Sequence, residues 1–194
     1  MNIILRPKFF AAYRAAYGKL RQDQVDGLET LLAALETDPY IVDQRHAAYM
    51  LATVKHECAD TWRPIVERGG PEYFRKYDAG TPIGIRLGNI QRGDGLRFCG
   101  RGYVQITGRD NYARIGRALG LGHALTTGPE CALDPDTAYR IMSSGMLEGL
   151  FTGRRLAHYI NAQGCDYINA RRVINSLDRA ELIAGYASIF EAIL

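Results

Sequence analysis

The chain lacks the marks of several common protein classes. It has no internal repeat, no low-complexity stretch and no excess of charge, which excludes solenoid arrays and polar disordered segments. No apolar run is long enough to cross a bilayer. The start, Met1-Asn2-Ile3-Ile4-Leu5-Arg6-Pro7-Lys8, holds only three consecutive apolar residues before charge and proline intervene, too few for a secretory leader. Synthesis in the cytoplasm without stable membrane insertion is therefore expected. Cys58, Cys99, Cys131 and Cys165 form no CxxC pair, so buried thiols are expected rather than a zinc site or a disulfide framework. His46, His56, His123 and His158 are scattered without ligand spacing, and neither metal nor cofactor is expected. The net charge of +3 suits an anionic polymer but falls short of a nucleic-acid footprint. Arg86, Arg92, Arg97, Arg101 and Arg109 crowd one stretch without interleaved aromatics and read as a solvated polar face.

What remains is a chain of 194 residues, 47% apolar, enough for a single domain with a substantial core; a monomer is expected. Helical spacing is clear at its start and end. Val25, Leu28, Leu31, Leu32 and Leu35 predict a helix over Gln24 to Glu36, with Pro39 soon after it. Asp43 predicts the cap of a second helix running to about Cys58, with Ala47, Met50, Leu51, Val54 and Cys58 as its buried stripe. Between about residues 59 and 110 the rhythm is lost to glycine, proline and turn signals. Within this insert a short helix is expected over Glu72 to Tyr77. Arg97 to Thr107 reads as the second arm of a hairpin, because Val104 and Ile106 alternate with Tyr103, Gln105 and Thr107. Helices then resume. Asp110 caps one bearing Tyr112, Ile115 and Leu119 and closed by Gly120. Asp134-Pro135 opens another that carries Ala138, Ile141, Met142 and Leu150, and Asp166 precedes a third. Asp178 with Glu181 makes a capping-box-like start to the last. The expected fold class is mainly α with a small β-hairpin or irregular lobe.

Two carboxylates flank the start of the insert. Glu57 lies at the end of the Asp43 helix, on the edge of its apolar stripe, and Glu67 follows ten residues later beside Arg68. An apolar border favours a protonated acid, and a neighbouring cation favours an ionised carboxylate. Glycoside hydrolysis needs this division of labour, with Asp60 and Asp78 competing for the second role.

The stretch Phe98-Cys99-Gly100-Arg101-Gly102-Tyr103-Val104-Gln105-Ile106-Thr107-Gly108-Arg109-Asp110-Asn111-Tyr112 closely resembles the Gly-Arg-Gly-x-x-Gln-Leu/Ile-Thr/Ser motif of family 19 chitinases and related phage endolysins. It follows a His-Glu-x-x-x-x-Trp segment, His56-Glu57 to Trp62, as in that family. Asn169-Ala170-Arg171-Arg172-Val173-Ile174-Asn175 resembles the family's C-terminal helix motif. The resemblance implies a lysozyme-like helical domain whose irregular lobe helps to form a glycan cleft. By position, Glu57 matches the general acid and Thr107 the hydroxyl that helps hold the attacking water. Gln105, Asn111 and Asn175 match polar sugar-contacting positions. His56 is expected to orient the local backbone or the acid. Related endolysins have Pro-x-x-Glu about ten residues after the acid, which points to Glu67 as the second carboxylate, with Asp78 in reserve. Gly100 and Gly102 permit tight backbone geometry, and Arg101 between them reads as a loop anchor.

The mechanism so implied is inverting, and it requires roughly 6.5–9.5 Å between the two carboxyl groups. Chitin and peptidoglycan share N-acetylglucosamine. The absent leader and absent disulfide framework favour a phage endolysin, an N-acetylmuramidase on peptidoglycan strands that reaches the wall through a separate membrane-permeabilising protein. A chitinase and a noncatalytic wall-binding module are the alternatives.

Overall fold

The computed structural model describes residues 3–194 and is mainly helical. The chain first forms α1 (Arg6–Tyr17), α2 (Gln22–Thr37) and α3 (Gln44–Glu57). Then come β1 (Ile65–Val66), α4 (Pro71–Phe74) running into a 3-10 turn at Arg75–Tyr77, α5 (Pro82–Arg86), α6 (Asp94–Arg97), β2 (Arg101–Gly102), α7 (Arg109–Ala118) and α8 (Ala124–Thr127). The last elements are α9 (Pro135–Glu148), β3 (Ile160–Asn161), β4 (Gly164–Cys165), α10 (Tyr167–Ala170) and α11 (Ala180–Ile193). These divide into two compact units: residues 1–63 with 145–194, and residues 64–144. No helix among the described residues is long and apolar enough to cross a membrane.

The first unit is organised by α3, whose residues from His46 to Lys55 are all buried, so the helix is surrounded rather than half covered. It packs on α11, which turns Ala180, Ile183, Ala187 and Phe190 inward at helical spacing. Leu28, Leu31, Leu32 and Leu35 of α2 are buried as their periodicity predicts. The Asp43 carboxylate accepts from Arg45 N, and the predicted cap is present. Helix α1 was not anticipated. Its signals are Pro7 in the first turn and the inward pair Phe9 and Tyr13, four residues apart.

The second unit runs from short pieces between Pro64 and Gly102 into α7, α8 and the first part of α9. Strands β1 and β2 pair antiparallel, Ile65 opposite Gly102 and Val66 opposite Arg101. The expected strand through Thr107 is not formed. After Gly102 the chain reverses tightly, Gln105 takes a left-handed φ of 55°, and Arg101 bridges back to Ile106. Tyr103, Val104 and Ile106 are all buried, because a turn can bury consecutive residues that a strand would send to opposite faces.

Two expected caps are also replaced. Helix α7 begins after Gly108, with Asp110 inside its first turn and no side-chain cap. Helix α11 begins after Arg179, again without a side-chain cap, so the Asp178/Glu181 box is absent. By contrast, Asp134 caps α9 by accepting from Thr137 N, and Asp166 caps α10 by accepting from Asn169 N. Helix α9 ends at Glu148, two residues short of Leu150.

Candidate functional site

The expected site residues form two clusters, one in each unit. In the first, Glu57 ends α3, where the helix stops because the next backbone stretch is irregular. Ala59, Asp60 and Trp62 all lie in the left-handed region, with φ of 48°, 61° and 59°. Such conformations are costly for residues with a Cβ and persist only where the surroundings over-determine them. Here they do. Trp62 is fully buried, and a Cβ at Gly27 of α2 would run into its carbonyl. Gln24 donates to Asp60 O at 2.7 Å. The buried Lys55 pairs with the Asp60 carboxylate, and its ammonium lies 4.1 Å from the Tyr17 ring centroid and 5.2 Å from that of Tyr186. Burial, aided by Asp60, pushes the Tyr13 phenol beside this cluster up to about 12.

The neighbour of Glu57 is a cation, where the pattern of α3 had promised an apolar border. Arg171 donates from Nη1 to Glu57 Oε1 at 2.7 Å, with side-chain exposures of only 3% for Arg171 and 18% for Glu57. Arg171 Nε donates to Asp178 O at 3.0 Å, which fixes the guanidinium. Asn175 is exposed; its N–H donates to Arg171 O, and its side-chain oxygen accepts from Ser176 N. The structure thus joins Glu57, Arg171 and the Asn175 segment across 114 residues of sequence. Arg171 lies within the C-terminal motif, but no spacing rule connects it to Glu57. His56 is half-buried, and its carbonyl accepts from Ala59 N.

The second cluster is a continuous polar chain. Glu67 N donates to Gly100 O at 2.8 Å, its Oε2 accepts from Gly100 N at 3.0 Å, and its Oε1 accepts from the Tyr77 hydroxyl at 2.9 Å. Gly100 has no room for a side chain. A Cβ there would lie 2.8 Å from Gln105 Oε1 and 3.2 Å from Glu67 Oε2, so Glu67 and Gln105 meet over this glycine. Gln105 donates to Ile65 O and Gly102 O, Thr107 donates to Gln105 O at 3.1 Å, and Asn111 donates to Thr107 O at 2.6 Å. Arg114 in turn donates to Asn111 Oδ1. Arg101 is the anchor expected from its place between glycines, donating to Arg97 O and Cys99 O. Asp78, the reserve carboxylate, accepts from Gly93 N and Gly95 N through Oδ1 and pins that loop. Asp60 is the partner of Lys55.

Burial, with the hydrogen bond to Glu67 next, pushes the Tyr77 phenol above its ordinary value, so it remains a donor. Burial likewise raises the Cys99 thiol and the Tyr112 phenol. The chemistry available is that of two carboxylates, Glu57 beside a fixed guanidinium and Glu67 held at both oxygens by neutral donors.

No family profile and no curated protein sequence matches the chain. Solved structures do. Chitinase C from Streptomyces griseus superposes with a TM-score of 0.59 at 18% identity, over 97% of this chain and 92% of that one. A bacterial family 19 chitinase superposes with a TM-score of 0.58 at 20% identity, over 96% and 95% of the two chains. Identities this low establish shared architecture. The chain has the mainly α, lysozyme-like fold of family 19 chitinases.

Proposed function

We propose that the protein is a glycoside hydrolase acting on N-acetylglucosamine-containing polymers, and specifically an N-acetylmuramidase of the endolysin type that cleaves β-1,4 bonds of peptidoglycan. The observation that carries this reading is the assembly of the motif positions into two defined clusters, Glu57–Arg171–Asn175 and Glu67–Gln105–Thr107–Asn111, on a chain with this fold. Glu57 is the general acid. Arg171 occupies Oε1, which leaves Oε2 to deliver the proton to the glycosidic oxygen; the guanidinium does not hold the acid protonated but favours the carboxylate formed as the proton leaves. As the C–O bond breaks, water adds to the anomeric carbon and gives its proton to Glu67, with the Thr107 hydroxyl helping to orient it. The outcome is inversion. Gln105, Asn111 and Asn175 contact the sugars. The enzyme works as a monomer without metal or cofactor, is made in a bacterial cytoplasm during phage infection, and gains the wall through a lesion made by another protein. Asp78 is the weaker second carboxylate, because its Oδ1 is already held by two loop N–H groups.

A chitinase is the second reading, favoured because the superposed structures are chitinases. Mass spectrometry of digested cell wall separates the two. Reducing muramic acid ends are expected; anhydromuramyl ends would mean a lytic transglycosylase, and activity confined to chitin oligomers would mean a chitinase. Glu57→Gln is expected to lower lysis of permeabilised cells by about 10²–10⁴-fold while folding normally. Unchanged lysis removes Glu57 from the mechanism. Comparing Glu67→Gln with Asp78→Asn identifies the base as the residue whose loss is larger.

A further inference from the structure

The cradle around Glu67 is more specific than a structural strut requires. Its two side-chain oxygens face two donors, Gly100 N–H and the Tyr77 hydroxyl, and its own N–H is tied to Gly100 O. Both side-chain oxygens of Glu67 are thus engaged, which fixes the plane of the carboxylate. Tyr77 is itself held. Its carbonyl accepts from Asn89 Nδ2 at 2.7 Å, and Asn89 is buried with its Oδ1 accepting from Arg109 N. The Lys76 ammonium lies 4.7 Å from the Tyr77 ring centroid and 3.4 Å from that of Tyr73. The backbone is thus held at the carbonyl, and the ring lies against Lys76 and the Tyr73 and Phe74 rings while its hydroxyl reaches the carboxylate.

We propose that Tyr77 is the positioning residue of the base: its O–H fixes Glu67 Oε1 and holds that carboxylate oriented while it receives the proton of the attacking water. This rests on reading Glu67 as the base. The other titratable or charged groups around Glu67 are Arg68, Tyr73, Cys99, Arg101 and Tyr112. Burial keeps the Cys99 thiol and the Tyr112 phenol neutral at ordinary pH, and Arg101 donates to the Tyr112 hydroxyl. Among the described residues, Tyr77 is the side chain seen to donate to the carboxylate, at 2.9 Å from Oε1.

The test is the pH dependence of wall-glycan hydrolysis by the full chain. Below its acid limb the base is protonated and the rate falls. Removing a donor to the ionised form in Tyr77→Phe moves that limb to higher pH by roughly one unit, the tenfold that one hydrogen bond to a charged group represents. The loss is in kcat, with KM unchanged, because Tyr77 is assigned to the carboxylate and not to the sugar. A fluorinated tyrosine at the same position, a stronger O–H donor of nearly equal shape, moves the limb the other way and tests the idea even if Tyr77→Phe folds poorly. A uniform loss at every pH with the limb unmoved, or no change at all, overturns the proposal. Glu67→Gln run alongside separates the two failures: if it is inactive while both Tyr77 variants keep the parental limb, only the positioning role falls. If it stays active, the base assignment falls, and the role of Tyr77 with it.

Discussion

The two units reach order by different means. Residues 1–63 with 145–194 hold 13 Lys and Arg against 13 Asp and Glu, whereas residues 64–144 hold 11 against 8, so the whole net charge of +3 belongs to the second unit. The first unit is held by long helices whose apolar positions interlock around α3. The second is held by polar side chains bonded to backbone: Asp78 to Gly93 and Gly95, Asp94 to Ile90 and Gln91, Asn89 to Tyr77, Thr81 to Gly84, Glu67 to Gly100. The helices of four or five residues between Pro71 and Arg97 bury little apolar surface of their own, and these bonds add to a core that includes Phe74, Phe98, Tyr103, Tyr112 and Ile115. A segment rich in glycine and turns can therefore be as well defined as a helical bundle, provided its carboxylates and amides are spent on backbone.

The contrast can be broken at its extremes. The largest effect is expected from Leu32→Ala in the fully buried stripe of α2, a loss of about 2–5 kcal/mol in chemical denaturation. A loss under about 1 kcal/mol would mean that the first unit is not held by close apolar packing. Next comes Asp94→Asn. Asp94 is 2% exposed and accepts from Arg109 Nη2 at 2.6 Å, Arg109 Nε, Ile90 N and Gln91 N. Its substitution is expected to cost about 1.5–3 kcal/mol.

The same residue makes the second unit acid-sensitive. Burial opposes ionisation of Asp94, but Arg109 and the two backbone N–H groups prevail and hold it below the usual carboxylate value. A depressed folded-state value means stability that is fully present above the unfolded value of about 4 and lost as the pH falls below it. A urea series between pH 6 and pH 3 is expected to show this loss in the parent and a smaller one in Asp94→Asn. Equal slopes would remove Asp94 as the acid-labile group. The smallest effect is expected from Arg86→Gln with Arg92→Gln, both exposed: stability stays within about 0.5 kcal/mol, while retention on anionic cell wall becomes less sensitive to salt. Unchanged salt dependence would separate the charge of this unit from wall binding.

Periodicity made α2, α3 and α9 legible, and the caps at Asp43, Asp134 and Asp166 followed from short polar side chains just ahead of apolar runs. The alternation of Tyr103 to Thr107 misled for a physical reason. Two-residue periodicity reports a strand only if the backbone is extended, and the left-handed Gln105 turns the same residues into a reversal with a buried interior. The caps expected at Asp110 and Asp178 failed because α7 starts from Gly108, with its φ of 92°, and α11 from a left-handed Arg179, leaving neither carboxylate at the N-cap position.

The sequence by itself determined the mainly α class and the apolar stripe of α3, and it nominated Glu57 and Glu67 as candidate carboxylates. It determined these because periodicity, capping and motif spacing are local. Only the tertiary structure decided what surrounds each carboxylate. It set Arg171 against Glu57 from 114 residues away and brought Gly100, 33 residues downstream, and the Tyr77 hydroxyl, from the turn after α4, to Glu67. Those partners are chosen by where the chain returns, which depends on how buried helices and backbone-bonded loops pack and is written in no window of neighbouring residues.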